Sequence, residues 1–185
     1  MLTILIFIIL AFSFYTGFRR GLIMQAIQLI GYTLTVILAT QYYEPLSEYV
    51  EMIIPFPAIQ QSSEFVFYNE SQSFFLDQAF YRAISFVIIT IIGWILTKIL
   101  SSFLTKIIYY DVFKTINRVI GGLINLFVTY VVVFVVLFIA SLIPIEFVQQ
   151  QFVDNPVAYQ IVANTPVLSD LATETWLNVN PLQSN

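Results

Sequence analysis

Residues 119–143, which lie within the longest uncharged stretch of the sequence, set the first limit on the fold. This block contains 25 consecutive residues without a charged side chain, whereas about 20 apolar residues are enough for a helix to cross a hydrocarbon core about 30 Å thick. The valines at its centre would suggest a strand in water. Because an isolated strand in lipid leaves its backbone groups unpaired, a membrane-spanning helix is predicted.

Three further apolar blocks are predicted to span the membrane, near residues 2–18, 21–40 and 79–100. The whole chain is 59% hydrophobic and 10% charged, against roughly 45–50% and about 25% in soluble domains. The first block resembles a signal peptide in hydropathy, but no positive charges precede it, so a retained helix is expected. The predicted fold class is an all-α, polytopic membrane protein with about four transmembrane helices in residues 1–145.

The connecting regions are predicted to differ in structure. Residues 41–78 form an acidic loop and residues 144–185 a tail, and the prolines in both are expected to break long helices. Residues 101–116 are predicted to form one interfacial amphipathic helix. The loop and the tail are expected to pack against each other, because both contain apolar residues, namely Phe65, Phe67, Phe74, Phe75, Phe152, Val157, Ile161, Leu168, Leu171 and Trp176.

The distribution of charge predicts the orientation. Six of the seven basic residues lie in two places that fall on the same side of a four-span protein. The positive-inside rule assigns that side to the cytoplasm, so both termini, the loop and the tail are expected outside the cytoplasm. The bases expected to face cytoplasmic lipid headgroups are Lys98, Lys106, Lys114 and Arg118. A tight hairpin turn between the first two spans is predicted at Gly17, Arg19, Arg20 and Gly21.

Two spans contain polar side chains on one face. The second span has Gln25, Gln28, Tyr32 and Thr35, and the fourth has Gly121, Asn125 and Thr129. Polar groups in lipid turn toward protein or water, because an unpaired amide in hydrocarbon costs several kcal/mol. The favoured interpretation is hydrogen bonding between helices, and the alternative is the lining of a polar pathway.

The sequence offers little for catalysis. It contains no His and no Cys, which removes the commonest general base and the thiolate metal ligands. No phosphate-binding loop or nucleophile elbow is present, and the basic residues form no patch for nucleic acid. The expectation is therefore a protein that is not an enzyme, with no cofactor, no metal and no nucleic-acid partner. Its expected partners are the lipid bilayer and either further copies of itself or other membrane proteins.

Two short motifs resemble the colicin V production protein (CvpA) family. Residues 15–23 read YTGFRRGLI, like the opening hairpin of that family, and residues 116–122 read INRVIGG, like its second signature. The resemblance covers roughly residues 1–145. It departs in lacking an early acid in the first span and in having Asn125 where a glycine is usual.

This resemblance implies a multi-pass protein of a bacterial cytoplasmic membrane, whose namesake is needed for production or export of a peptide toxin. The expected function is that of an accessory or scaffold factor for toxin production, secretion or envelope maintenance. The alternative is an oligomeric small-solute channel or transporter lined by the polar residues of the second and fourth spans.

Overall fold

The computed structural model describes residues 2–57, 65–68, 75–104 and 114–177, and the side chains of Leu104 and Lys114 are not described. Four long helices carry the apolar blocks: α1 (Leu2–Arg20), α2 (Leu22–Ile53), α3 (Leu76–Leu104) and α4 (Lys114–Leu142). All four are long and apolar enough to cross a membrane. No strand occurs in the described residues. The prediction of an all-α membrane protein with four spans is confirmed.

The second helix is longer than the predicted span of residues 21–40. It continues through Pro45 to Ile53, so the expectation that Pro45 would break a helix is wrong. A proline inside a helix costs roughly 3 kcal/mol, because it removes one backbone hydrogen bond and crowds the preceding turn. Tyr43 and Val50, which lie two turns apart on one face, are both buried. Burial on both sides of Pro45 offsets that cost, and the helix ends only before Pro55 and Pro57.

The other long helices contain most or all of the remaining predicted spans. The third span, predicted at 79–100, is part of the longer α3, and the fourth, predicted at 119–143, is part of α4. The predicted interfacial helix at 101–116 falls mostly on residues 105–113, which lie outside the described residues. Its first four residues belong to α3 and its last three to α4.

The tail after Leu142 consists of short helical segments. They are α5 (Glu146–Asp154), α6 (Pro156–Asn164), α7 (Leu168–Ala172) and a π-helical turn (Thr173–Leu177). Between α6 and α7, Val167 has φ of 69° and ψ of −47°, and the Leu168 amide donates to the Pro166 carbonyl at 2.8 Å. This is a γ-turn with positive φ, which is rare and strained, most of all for a β-branched residue.

The chain divides into two compact units. Unit 1 comprises residues 1–3, 43–85 and 133–185, and its described interior contains large apolar side chains such as Phe80, Phe134, Phe138, Phe152 and Trp176. Unit 2 comprises residues 4–42 and 86–132. Its buried side chains are mostly small or polar, namely Ser13, Gln25, Gln28, Thr35, Thr97 and Ser101 with several glycines. Close packing through small and polar residues is typical of helices that associate inside a membrane.

Candidate functional site

The polar residues of α4 bind α1. The Asn125 Nδ2 atom donates to the Ser13 carbonyl at 2.7 Å, and it lies 2.9 Å from Ser13 Oγ and 3.1 Å from Thr16 Oγ1. Ser13 Oγ donates to the Asn125 carbonyl at 2.9 Å and lies 2.6 Å from Thr129 Oγ1. Because Ser13 is buried, these bonds satisfy polar groups that lipid would leave unpaired. The α4 polar residues therefore join two helices of unit 2.

Glycines make this approach of α1 and α4 possible. A Cβ atom added to Gly17 would lie 2.5 Å from both the Asn125 Cβ and the Gly121 carbonyl oxygen. A Cβ added to Gly121 would lie 2.5 Å from the Gly21 carbonyl carbon. No side chain fits at either position, because backbone atoms of the facing segment occupy the space. Gly121, predicted as part of the polar stripe, thus acts in helix packing.

The predicted hairpin turn between the first two spans is present and is confined to Gly21. This residue has φ of +78°, a conformation that glycine adopts without steric cost. The next amide, that of Leu22, donates to Asn117 Oδ1 at 2.9 Å. Asn117 therefore caps the free amino end of α2 from another helix, which replaces the local side-chain cap that most helices use. Arg19 and Arg20 end α1 with their side chains exposed.

Asn117 was not among the predicted site residues. It lies within the 116–122 motif, but nothing in that motif shows that its amide would reach the first hairpin. The capping function depends on the approach of α4 to Gly21, which is a tertiary contact 95 residues apart in sequence.

The polar residues of α2 face α3 instead. Thr35 and Thr97 are each packed against a glycine of the opposite helix: Thr97 against Gly31, and Thr35 against Gly93. Thr35 Oγ1 also donates to the Gly31 carbonyl of its own helix at 2.9 Å. This reciprocal arrangement of threonine on glycine brings the two backbones close together.

Lys98, predicted to face lipid headgroups, also contacts side chains of α2 and α3. Its ammonium donates to Gln28 Oε1 at 2.8 Å, and it lies 5.7 Å from the ring centroid of Tyr32 and 5.8 Å from that of Trp94. The long side chain of Lys98 turns back along α3 and toward α2, where a carboxamide and two π faces replace part of the water around the charge. Gln25 is buried one turn before Gln28, and its Nε2 atom has no hydrogen-bond partner.

Of the other three bases predicted to face lipid headgroups, the structure describes the side chain of one. Arg118 is exposed, and its position at a lipid headgroup stays a prediction. Lys106 lies outside the described residues, and Lys114 begins α4 with an undescribed side chain. The two predicted stripes are thus used by different neighbours: Gly121, Asn125 and Thr129 by α1, and Gln28 and Thr35 by α3.

Unit 1 contains a buried polar network that sequence reasoning missed. Gln149 Nε2 donates to the carbonyls of Ser141 and Ile143 at 3.0 and 2.9 Å, and its Oε1 accepts from the Val66 amide at 3.2 Å. The Ser141 hydroxyl lies 2.8 Å from the Tyr68 hydroxyl. Gln149 therefore caps the carboxyl end of α4 and ties the 65–68 segment to it. Gln149, Gln150 and Gln151 are consecutive, so composition could not distinguish the buried one.

Burial raises the pKa of Tyr68 to about 12, although the Ser141 hydrogen bond acts in the opposite direction. The neutral phenol is thus strongly preferred in the folded protein.

The predicted packing of the loop on the tail is confirmed for the described residues. The Phe67 ring lies 5.1 Å from that of Phe152, edge to face, and 5.0 Å from that of Tyr159, stacked. Trp176 and Ile161 are also buried in unit 1, whereas Leu171 is exposed and the expectation of its burial is wrong. Phe74 lies outside the described residues.

In the described part of the chain, no group of three or more His, Cys, Asp or Glu side chains is placed to hold a metal ion. What the two polar clusters of unit 2 do chemically is donate and accept hydrogen bonds, and the Lys98 cluster adds a positive charge.

Comparison with known proteins places the chain among membrane proteins. The colicin V production protein family matches residues 2–166. A relative from Bacillus subtilis (strain 168), described as the uncharacterized transmembrane protein YshB, is 34% identical over 179 residues, which cover 95% of this chain and 97% of the relative. No solved structure matches the chain. With a family match over most of its length and four helices able to span a membrane, the chain belongs to the colicin V production protein family.

Proposed function

We propose that this protein is a membrane scaffold, an accessory factor that holds partner proteins at a bacterial cytoplasmic membrane in toxin production, secretion or envelope maintenance. The observation that carries the proposal is apolar surface on the tail. Phe147, Val153 and Val167 are 74%, 61% and 65% exposed, and all three lie beyond the end of α4. Exposed large apolar side chains outside the spans are typical of interaction surfaces.

The charge of unit 1 indicates what kind of partner fits this surface. The residue ranges of this unit contain ten of the eleven acids and one base, Arg82. This excess of acids favours a partner with basic residues around its apolar contact, because complementary potentials speed encounter and exclude wrong partners. The partner is a second copy of this chain or another membrane protein.

The hydrogen bonds of the spans favour a scaffold over a channel. A channel lined by the two stripes would need Asn125, Thr129 and Gln28 to face water in a ring of protomers. Asn125 and Thr129 instead bond to Ser13, and Gln28 accepts from Lys98. Side chains engaged in this way are not available to a passing solute. We also propose that the protein has no catalytic activity, which the absence of His and Cys from the sequence supports.

The same charge distribution supports an orientation with both termini outside the cytoplasm. Arg19 and Arg20 follow the first span and Lys98 lies near the end of the third, whereas ten of the eleven acids lie in residues 41–78 and in the tail. Under the positive-inside rule, the basic side faces the cytoplasm. The tail surface would then meet partners on the extracytoplasmic side.

Site-specific photo-crosslinking tests the scaffold. A photoreactive phenylalanine at position 147 in intact cells should give adducts with this chain or with another membrane protein. The matched control is position 160, where Gln160 is also exposed but polar and lies on α6. We expect few adducts from position 160. Adducts from position 147 with lipid alone would show that the tail surface rests on the bilayer and would overturn the proposal.

A further inference from the structure

Positive charge in unit 2 lacks a described counter-ion. The residue ranges of this unit contain six bases and a single acid, Asp111, which lies outside the described residues. In the part of the chain that the structure describes, no carboxylate of unit 2 is present to neutralise the bases. Charged groups removed from water are normally paired, because an isolated charge in a low-dielectric setting is costly.

Lys98 is the base for which this cost is largest. It is partly buried, and its hydrogen-bond partner, Gln28, is neutral. Arg20 adds a second positive charge near the same end of the helices, because it ends α1 directly before α2 begins. An ammonium has three donors, and the Gln28 bond uses one of them. An anion would satisfy the remaining donors of Lys98 and offset the positive charge of Arg20.

Gln25 provides a second, independent observation. Its side chain is only 1% exposed, and its Nε2 atom has no hydrogen-bond partner. Gln25 lies three residues before Gln28, so both are on one face of α2. A buried amide donor without an acceptor costs about 1–3 kcal/mol. The face of α2 that contacts Lys98 therefore has a further N–H donor, that of Gln25, and this donor has no acceptor.

The depth of these residues fits a phospholipid phosphate. The span Leu76–Phe103 has 28 residues, hence a length of about 42 Å, close to the ~40–45 Å of a bilayer with its headgroup regions. Lys98 lies five residues before Phe103, roughly 7–8 Å from the end of the span. This is the level where headgroup phosphates meet the acyl chains. Trp94, one turn deeper and exposed, is a residue type that is typical of the same boundary.

We propose that Lys98, Arg20 and Gln25 bind the phosphate of an anionic phospholipid headgroup at the amino end of α2 and the carboxyl end of α3. The Lys98 ammonium and the Arg20 guanidinium neutralise the phosphate charge, and the Gln25 amide donates to one of its oxygens. Tyr32 and Trp94 hold the ammonium in place and contact the glycerol and the first acyl carbons. The site is independent of the scaffold function, because it lies in unit 2 and uses none of the tail residues.

Lipid retention by the purified, full-length protein tests the site. The protein is exchanged into nanodiscs with equal amounts of phosphatidylglycerol and phosphatidylcholine, and bound lipids are counted by native mass spectrometry. We expect phosphatidylglycerol to be retained over phosphatidylcholine. Lys98→Gln should lower that preference about tenfold, the effect of losing one charge-assisted hydrogen bond. The matched control is Arg118→Gln, an exposed base of the same unit, which should leave the preference within about twofold.

Gln25→Leu separates a binding site from a packing defect. Because it removes an unpartnered buried amide, it should raise the thermal stability of the lipid-free protein. The proposal also requires it to lower phosphatidylglycerol retention several-fold. Raised stability with unchanged retention would overturn the proposal, as would an equal loss in Arg118→Gln and Lys98→Gln, which indicates diffuse surface charge. Displacement of the lipid by soluble glycerol phosphate or inorganic phosphate would assign the site to a free anion and refute the lipid headgroup.

Discussion

Gly17→Ala tests the close approach of α1 and α4. The added Cβ would lie 2.5 Å from the Gly121 carbonyl oxygen and 2.5 Å from Asn125 Cβ. Ordinary contact needs 3.4–4 Å, so the two helices must separate by roughly 1 Å. The Gly121 oxygen is backbone, so no rotamer change relieves the contact. Separation of this size stretches the bonds from Asn125 to the Ser13 carbonyl and hydroxyl, now 2.7 and 2.9 Å, beyond useful length.

The expected loss of stability combines three contributions: overpacking, lost hydrogen bonds and helix propensity. Overpacking costs about 1–3 kcal/mol, and each lost hydrogen bond between membrane helices costs ~0.6–2 kcal/mol. The higher helix propensity of alanine returns about 1 kcal/mol. The net destabilisation should be about 2–4 kcal/mol.

Reversible unfolding in mixed micelles of mild detergent and SDS, followed by far-UV circular dichroism, measures this change. Ala11→Val is the matched control, because it adds bulk to an exposed position of the same helix and should change stability by less than about 0.5 kcal/mol. If Gly17→Ala is as stable as the parent or more stable, only helix propensity is acting. The contact between α1 and α4 would then be refuted.

Four further predictions concern the tail, the buried network and the topology. Val167→Gly should stabilise the protein by about 1 kcal/mol in thermal unfolding, because relief of positive φ exceeds the backbone entropy of glycine; a loss of stability would contradict the strain. Gln149→Leu should cost about 2–5 kcal/mol, since three backbone groups, one buried and two partly buried, lose their partner, and a change below ~0.5 kcal/mol would argue against the network. Because the pKa of Tyr68 is raised to about 12 when folded, its stabilisation is present below the unfolded pKa near 10 and lost as pH rises from about 10 to 12. Tyr68→Phe should flatten that part of the pH–stability curve, and an unchanged slope would refute the assignment. Single cysteines at Gln60 and Thr175 should both react with a membrane-impermeant maleimide on intact cells; reaction only after the membrane is opened would reverse the orientation.

The number and position of the spans could be read from sequence because the length of an apolar block must match the thickness of the bilayer. That requirement is local, so the blocks near 2–18, 79–100 and 119–143 can be recognised from hydropathy along the chain. The second block was underestimated, since Pro45 was treated as a helix breaker. Whether a proline breaks a helix depends on how much burial the flanking residues gain, which for Tyr43 and Val50 is a tertiary property.

For the candidate site, sequence spacing predicts which face of a helix carries the polar residues, but not which neighbouring helix that face contacts. Spacing of three and four residues places Gln25, Gln28 and Thr35 on one side of α2. It does not say which helix that side meets. The same limit applies to Lys98: its charge and its position near a span end predict lipid headgroups, but only the packed helices show that Gln28 on a neighbouring helix accepts its hydrogen bond at 2.8 Å.

Four properties can be derived from the chain alone: the lipid environment of the spans, the four long helices, the glycine turn at residue 21 and the separation of acids from bases. These follow from hydropathy, backbone freedom and charge, which act within a few residues. The tertiary structure alone decided that Asn117 caps α2, that Asn125 bonds to α1 and that Gln149 closes α4. Each of these amides can bond to any donor or acceptor within reach, so its function depends on which backbone groups the packed helices bring to it.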